Sequence, residues 1–153
     1  MGFQLGNLDE LERAHERLLA ETQRAIAEGL DLAGRHGVEH VKNHPEFKPQ
    51  TGNLQKKTKY RVVRLGSGRI LKLTNNAPYA AAIDTGSKAH VIRSKGGGRL
   101  TFFSKKLGHF VSVREVHHPG TRAYRFMFFA HDAADRVFRA DMNRRMSSIA
   151  SRF

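Results

Sequence analysis

Apolar side chains recur every three or four residues over the first part of the chain, which is the spacing of one face of an α-helix. Asn7 and Glu10 stand three residues apart in a capping-box pattern, so the helix should begin just after Asn7. Pro45 disfavours helical backbone at the residue before it and should end the helix at about His44. We therefore predict a first helix over residues 8–44. Its apolar stripe includes Leu8, Leu11, Leu18, Ala25 and Leu32.

The last part of the chain shows the same helical spacing. It predicts a closing helix over residues 123–150, with Thr121 as the residue that caps it. Pro49 and Gly52 disfavour regular structure, so residues 46–53 are expected to form a loop. The apolar stripe of the closing helix includes Phe126, Phe129, Ala133, Val137 and Met146.

Between the two helices the pattern changes to an alternation of apolar and polar residues, which is typical of β-strands. Residues 59–65 and 69–73, joined by Gly66-Ser67-Gly68, predict a β-hairpin. A short helix is predicted over residues 77–83, with Asn76 near its cap and Pro78 in its first turn. Further strands are predicted around residues 89–93, 99–104 and 110–116.

This order of elements indicates an α+β fold. We expect an antiparallel sheet of about four to five strands, within residues 58–117, packed by the long N-terminal helix and the long C-terminal helix. The length of 153 residues fits a single domain over residues 1–153, because no linker is long enough to separate two domains.

Charge is distributed unevenly along the chain, whose formal net charge is +13. Residues 1–47 carry a net charge of −4, whereas residues 48–85 carry +7, residues 86–126 carry +8 and residues 127–153 carry +2. The first helix is therefore acidic and the middle of the chain is basic. Such a split predicts a dipolar subunit, with one face suited to a polyanion and another to a basic neighbour.

Composition excludes several classes of protein. Hydrophobic residues make up 39% and charged residues 27%, which is ordinary for a globular protein. No apolar run approaches the roughly 18 residues needed to cross a bilayer, so we expect no membrane association. Asp9, Glu10 and Glu12 stand where a signal peptide needs basic residues, so export is not expected. Without cysteine, disulfides and thiolate zinc sites are ruled out.

A glycine-rich basic segment is the main candidate site. Its Lys and Arg side chains surround Gly96-Gly97-Gly98 with almost no compensating carboxylate, so it could follow a phosphate backbone without reading bases. We predict contact with nucleic acid or with an acidic protein surface; the alternative is a solvated loop that keeps the protein soluble. Phe102, Phe103 and Phe110 interleave with these charges and could stack on bases, but alternating strand positions are expected to point them into the core. The basic residues are Lys88, Arg93, Lys95, Arg99, Lys105 and Lys106.

Two groups of histidines suggest chemistry but have simpler explanations. His36, His40 and His44 fall on one helix face, yet no further type of ligand accompanies them, and the helix dipole favours histidine near a C-terminus. His117 and His118 lack the carboxylates that metal-dependent phosphodiester hydrolysis normally needs. The chain has no nucleophile elbow, P-loop or His-Glu-x-x-His motif. We therefore expect no metal, no cofactor and no catalysis.

Three segments in register resemble a known family. They are Thr51-Gly52-Asn53-Leu54; Ala77-Pro78-Tyr79-Ala80, leading through Asp84-Thr85-Gly86-Ser87 to His90; and Val116-His117-His118-Pro119-Gly120-Thr121, followed by Phe126 and Ala130. Together they resemble the siphophage minor-tail or tail-completion family, also called the gene-ten-like tail component. The similarity spans about residues 45–135. The chain departs from the family pattern at Arg125, where members commonly have a proline before the aromatic residue of the last helix.

The resemblance implies a non-enzymatic structural protein of a tailed bacteriophage. Such proteins are made in the host cytoplasm and form rings, expected to be hexameric, in the tail or neck of the virion. The ring would join the tail tube to the head through neighbouring head-closure, tail-terminator or tail-tube proteins, and DNA would pass through it. Rivals are a standalone basic nucleic-acid-binding protein and a small hydrolase.

The motif positions have mechanical roles under this resemblance. Gly52, Gly86 and Gly120 would shape turns between elements, and Pro78 and Pro119 would fix φ at element ends. The remaining motif residues are structural positions of the family and need no catalytic role. They are Thr51, Leu54, Tyr79, Asp84 and His118.

Overall fold

The computed structural model describes residues 8–43 and 52–152, which divide between two compact units. The helix unit comprises Met1–Ala77 and Phe126–Phe153, and the ribbon unit comprises Pro78–Arg125. Both helices and strands are present, so the α+β class is confirmed. The elements in chain order are α1 (Leu8–Asn43), α2 (Asn53–Lys57), β1 (Thr58–Leu65), β2 (Gly68–Asn75), α3 (Ala80–Thr85), β3 (His90–Arg93), β4 (Leu100–Ser104), β5 (His109–Val113), β6 (Glu115–His118) and α4 (Phe126–Ala150).

The core of the helix unit lies where α1 and α4 pack side by side. The two helices run antiparallel, because Glu28 of α1 pairs with Arg145 of α4 while Gly37 of α1 faces Ala130 near the start of α4. The second half of α1 therefore supplies the packed surface, and α4 turns its own buried face toward it. The buried apolar residues of the two helices are Ala25, Leu30, Ala33, Val41, Phe126, Ala130, Ala134 and Ile149.

Three glycines let neighbouring side chains approach the second half of α1 closely. A Cβ at Gly34 would stand 2.2 Å from the Tyr60 ring, and one at Gly37 would stand 2.9 Å from Leu73. A Cβ at Gly29 would stand 3.1 Å from Met142 of α4. These glycines lower intrinsic helix propensity, yet the helix continues through them because they admit tertiary contacts.

The β1–β2 hairpin packs on α1. The two strands pair antiparallel from Thr58↔Asn75 to Leu65↔Gly68, which leaves a two-residue loop of Gly66 and Ser67. Gly66 has φ 57°, whereas Ser67 is not among the residues with positive φ, as in a type II′ turn. The Tyr60 hydroxyl donates a 2.8 Å hydrogen bond to Asp31 on α1, and this bond raises the pKa of Tyr60. The predicted hairpin is confirmed.

Besides the short helix α3, the ribbon unit contains two pairs of strands that follow one another along a two-stranded ribbon with an interruption. β3 pairs with β6 from His90↔His118 to Arg93↔Glu115, and β4 pairs with β5 from Leu100↔Val113 to Ser104↔His109. Between these pairings, residues 94–99 on one side stand opposite the single residue Arg114 on the other. We call β3–β6 the base of the ribbon, β4–β5 with residues 105–108 its tip, and residues 94–99 the insertion.

The predicted single sheet of about four to five strands is not confirmed. The six strands of the described residues form three separate two-stranded sheets: β1–β2, β3–β6 and β4–β5. The continuous strand predicted over 110–116 is divided at Arg114, because the insertion shifts the pairing there. The division into two compact units does not test independent folding, so the single domain stays a prediction.

Several boundaries differ from the predicted ones. The closing helix begins at Phe126 and not at residue 123, since Tyr124 and Arg125 donate their backbone N–H groups to Ile83 and Asp84 and Arg125 has φ 52°. Thr121 is not its cap. The short helix runs from Ala80 to Thr85 and not over 77–83, because the chain turns at Pro78 and Tyr79. The predicted end of α1 at His44, and most of the loop over 46–53, lie outside the described residues.

Candidate interaction surface

A clamp of backbone contacts holds the base of the ribbon. Ser87 and Thr121 exchange two backbone hydrogen bonds of 2.9 Å. Gly120 has φ 96°, and a Cβ there would stand 2.4 Å from the Ser87 carbonyl oxygen, so no other residue fits without displacing the backbone. Gly86 is similarly confined, since a Cβ would meet the Thr121 carbonyl oxygen at 2.8 Å. Gly86 and Gly120, two of the three motif glycines, therefore serve the clamp.

Two histidines stack beside this clamp. The rings of His90 and His118 lie 5.0 Å apart on paired positions of β3 and β6. The Gly120 N–H donates to Nδ1 of His118 at 3.0 Å. Nδ1 of His90 lies 2.8 Å from the Lys88 carbonyl oxygen and must donate to it. These contacts give His118, together with Pro119 and Gly120, a structural part in the turn that ends β6.

Part of the basic segment lies in the insertion and is exposed to solvent. Lys95 is exposed, and Gly96 and Gly97 have positive φ values of 154° and 73°. Arg99 turns back on the ribbon, where its Nε donates to the Ser112 hydroxyl at 3.0 Å and a second nitrogen donates to the Ser112 carbonyl oxygen. Arg93 is similarly tied by a 3.0 Å bond to Glu115, which lowers the pKa of that carboxyl. Lys95 is thus free to reach a partner, while Arg93 and Arg99 are partly engaged.

The tip of the ribbon carries the other lysines. Lys105, Lys106, Leu107 and Gly108 form the four-residue loop between β4 and β5, and Gly108 has φ 73°. Within the described residues, the side chains of Lys88, Lys95, Lys105 and Lys106 make no hydrogen bond or ion pair. The tip therefore presents two exposed ammonium groups beside an exposed leucine.

Three phenylalanines lie on the surface of the tip, so the prediction that they point into the core was wrong. Phe102 is 41% exposed, Phe103 is 52% exposed and Phe110 is 71% exposed. Phe103 and Phe110 are a cross-strand pair with an edge-to-face contact at 5.5 Å between ring centroids. Phe102 is adjacent in the strand and lies on the opposite face. With only two strands, the ribbon cannot cover both of its faces.

The ribbon unit is strongly basic. It contains nine Lys/Arg against two acids, Asp84 and Glu115, which gives a formal net charge of +7 over residues 78–125. No acid lies between residues 94 and 114. The six predicted basic residues all belong to this unit and are all exposed, but they are spread from the base to the tip instead of forming one cluster.

The other family-motif residues lie at turns and short helices. Gly52 has φ 67° at the start of α2, Leu54 of α2 is buried, and Thr51 lies outside the described residues. Pro78 and Tyr79 form the turn before α3, where the Tyr79 ring is exposed. The Asp84 carbonyl oxygen accepts from the Arg125 N–H. These contacts are structural.

No constellation of metal ligands appears among the described residues, in which no three His, Asp or Glu side chains converge. His36 and His40 lie on α1, and His44 is outside the described residues. Two clefts on the helix unit are open grooves lined by paired charges such as Glu28 and Arg145. Of the helices described, none has the length and apolarity to cross a bilayer.

Sequence reasoning missed the aromatic surface of the tip. A usable signal was present, since Phe102 and Phe103 are consecutive and successive side chains on a strand point to opposite faces. One of the two rings must face outward unless both faces of the strand are covered. Exposed apolar patches of this kind on a folded chain mark interaction sites more often than ordinary surface.

Comparison with known proteins found no matching family model, no matching curated protein and no matching solved structure.

Proposed function

We propose that this chain is a non-enzymatic structural protein of a tailed bacteriophage. It would form a ring, expected to be hexameric, that completes the tail or joins the tail tube to the head and lets DNA pass. The resemblance of three motifs to the tail-completion family supports the proposal. Its partners would be other copies of itself and neighbouring head-closure, tail-terminator or tail-tube proteins, in the virion.

A structural observation supports the proposal in addition to the motifs. The ribbon exposes both aromatic and basic side chains. A monomer gains nothing by holding Phe103 and Phe110 in water, because burying such rings is favourable. A subunit that buries them against a neighbour recovers that free energy on assembly. Lysines at the same tip would meet acidic protein or the phosphates of transiting DNA, without base contacts that would slow its passage.

The first test is the state of association of the full chain. Purified protein should form discrete rings in size-exclusion chromatography with light scattering, and negative-stain electron microscopy should show a central channel. A stable monomer over the accessible concentration range would contradict the proposal.

The second test is made in the phage itself. Replacing Lys95, Arg99, Lys105 and Lys106 with Glu should reduce the yield of infectious particles while the purified variant keeps its helical circular dichroism. The matched control replaces four exposed basic residues of the β1–β2 hairpin with Glu and should reduce the yield less; they are Lys59, Arg61, Arg64 and Lys72. Normal infectious particles from the first variant would remove the ribbon from the proposal.

A standalone nucleic-acid-binding protein is the second candidate, favoured by the net charge of +7 on the ribbon unit. Exposed rings beside lysines can also stack on unpaired bases. This candidate predicts a monomer or dimer whose affinity for duplex DNA falls steeply with salt concentration. Ring formation with only weak binding of free duplex would favour the structural protein instead.

A further inference from the structure

The first third of α1 has no buried residue. From Leu8 to Ala20 every side chain is exposed or half-buried, and burial begins at Ala25. Among the described residues, the chain after α4 meets α1 at Glu21, where Arg152 makes a 3.0 Å ion pair. Residues 8–20 therefore extend past the end of the helix pair. We call them the free segment of α1.

The free segment is amphipathic in spite of its exposure. Leu8 is 57% exposed, Leu11 is 68% exposed and Leu19 is 48% exposed. Their spacing places these leucines, with Leu18, on one face of the helix. A stripe of large apolar side chains on one face is the pattern of a helix that packs against something.

Acidic residues line one margin of this stripe. Successive residues of an α-helix are rotated by about 100°, which places Asp9, Glu12 and Glu16 beside the leucines on one side of the stripe. The segment holds four acids against the two basic residues Arg13 and Arg17, so its formal net charge is −2. It is thus apolar and acidic, whereas the ribbon tip is apolar and basic.

The two surfaces also match in extent. Thirteen helical residues span about 20 Å, and a five-residue strand with its loop spans roughly the same length. Each surface is exposed in the chain that carries it, and each carries the charge that the other lacks. Because every copy has one of each, a second copy of this chain is the partner that both surfaces fit.

We propose that the free segment of α1 in one copy docks on the ribbon tip of the next copy. Leu11 and Leu19 would cover Phe103 and Phe110, while Glu12 and Glu16 would face Lys105 and Lys106. This contact joins two different patches, so it is head-to-tail and propagates until a ring closes. The inference rests on the proposed ring and specifies the surfaces that build it.

Two double variants test the two surfaces separately. The helix variant carries Leu11→Ser and Leu19→Ser, and the tip variant carries Phe103→Ser and Phe110→Ser. Each should self-associate at least about tenfold more weakly than the unmodified chain, as expected for loss of central apolar contacts. All four side chains are exposed, so both variants should keep their circular dichroism. A control with Leu65→Ser and Ile70→Ser, also exposed apolar residues, should assemble normally.

Mixing the helix variant with the tip variant tests the docking proposal directly. The helix variant keeps an intact tip and the tip variant keeps an intact free segment, so an equimolar mixture should form a one-to-one heterodimer and nothing larger. Sedimentation velocity measures this directly. A mixture that remains monomeric, or a single variant that assembles like the unmodified chain, would overturn the docking proposal.

The failures of the two proposals are distinguishable. Rings that persist in both variants would refute the docking surfaces and leave the ring itself intact. An unmodified chain that stays monomeric would refute both. A tip variant that assembles normally but no longer binds an oligothymidine would assign the tip to nucleic acid, against the docking proposal.

Discussion

Glycine within α1 shows how a single missing side chain decides the packing of this molecule. Gly34 lies against the Tyr60 ring, whose hydroxyl reaches Asp31 one turn earlier on the same helix. The aromatic ring and its hydrogen bond thus hold the β1–β2 hairpin on the helix. Glycine weakens an isolated helix, but Gly34 admits the contact with Tyr60 that holds the β1–β2 hairpin on α1.

Replacing Gly34 with Ala should destabilise the fold in spite of the higher helix propensity of alanine. The added Cβ would stand 2.2 Å from the Tyr60 ring, so the hairpin must shift, and overpacking of this kind costs about 1–3 kcal/mol. Urea denaturation followed by circular dichroism measures the loss. Gly68→Ala is the matched control, because its Cβ would meet only the Leu65 carbonyl oxygen at 3.6 Å. Equal stability of the two variants would contradict the packing described for Gly34.

At the scale of elements, α1 and α4 are joined by a charged bridge as well as by apolar contacts. Arg145 lies 2.5 Å from Glu28 on the other helix and 2.6 Å from Asp141 on its own. Asp141 is buried, and a buried carboxylate requires such a partner. Hydrogen bonds from Arg24 and Arg145 lower the pKa of Glu28 below its ordinary value of 4.5.

This bridge predicts a dependence of stability on pH. Because the pKa of Glu28 is lower in the folded chain than in the unfolded chain, ionised Glu28 stabilises the fold above the unfolded value. That contribution is lost as the pH falls through the lower, folded-state pKa. Glu28→Gln should therefore lower the urea midpoint at pH 7, and the difference from the unmodified chain should shrink below about pH 4. Glu39→Gln, an exposed position on the same helix, should show little difference at either pH.

The sequence predicted the elements better than their assembly. Helical periodicity identified both long helices, and the glycine-bearing turn identified the β1–β2 hairpin, because these patterns are local. The joining of strands into sheets depends on contacts between distant residues. Nothing in residues 94–99 shows that they would stand opposite a single arginine and separate two pairs of strands.

The candidate site was also predicted only in part, because some of its features depend on contacts between distant residues. Charge counts identified the basic middle of the chain, since charge needs no structure to be counted. They did not show that Arg99 turns back to Ser112, or that the three phenylalanines lie on the surface. Alternation predicts which side chains share a face of a strand, but not whether another element covers that face.

At the scale of the whole molecule, apolar surface is divided between a buried and an exposed set. Phe126 is fully buried in the helix unit, whereas Phe110 is largely exposed on the ribbon unit. We therefore expect Phe126 to contribute to folding and Phe110 to contribute to the proposed association. This difference can be measured by truncating each ring in turn.

Phe126→Ala should reduce the free energy of unfolding by about 3–5 kcal/mol, as for a buried aromatic ring. Phe110→Ala should cost less than about 1 kcal/mol, because the residue is 71% exposed and its ring makes an edge-to-face contact with Phe103. Thermal unfolding of both variants, at a concentration where the chain is monomeric, compares the two. A large loss from Phe110→Ala would mean that the ring stabilises the fold and is not reserved for a partner.

The insertion is also a suitable place to insert a label. A Cβ added at Gly96 or Gly97 meets no atom within 4 Å, and the pairings on either side are fixed by their own ladders. Extra residues between these two glycines would lengthen a surface loop without disturbing the neighbouring strands. A short epitope placed there would let antibody labelling test whether the chain lies in the proposed ring of the virion.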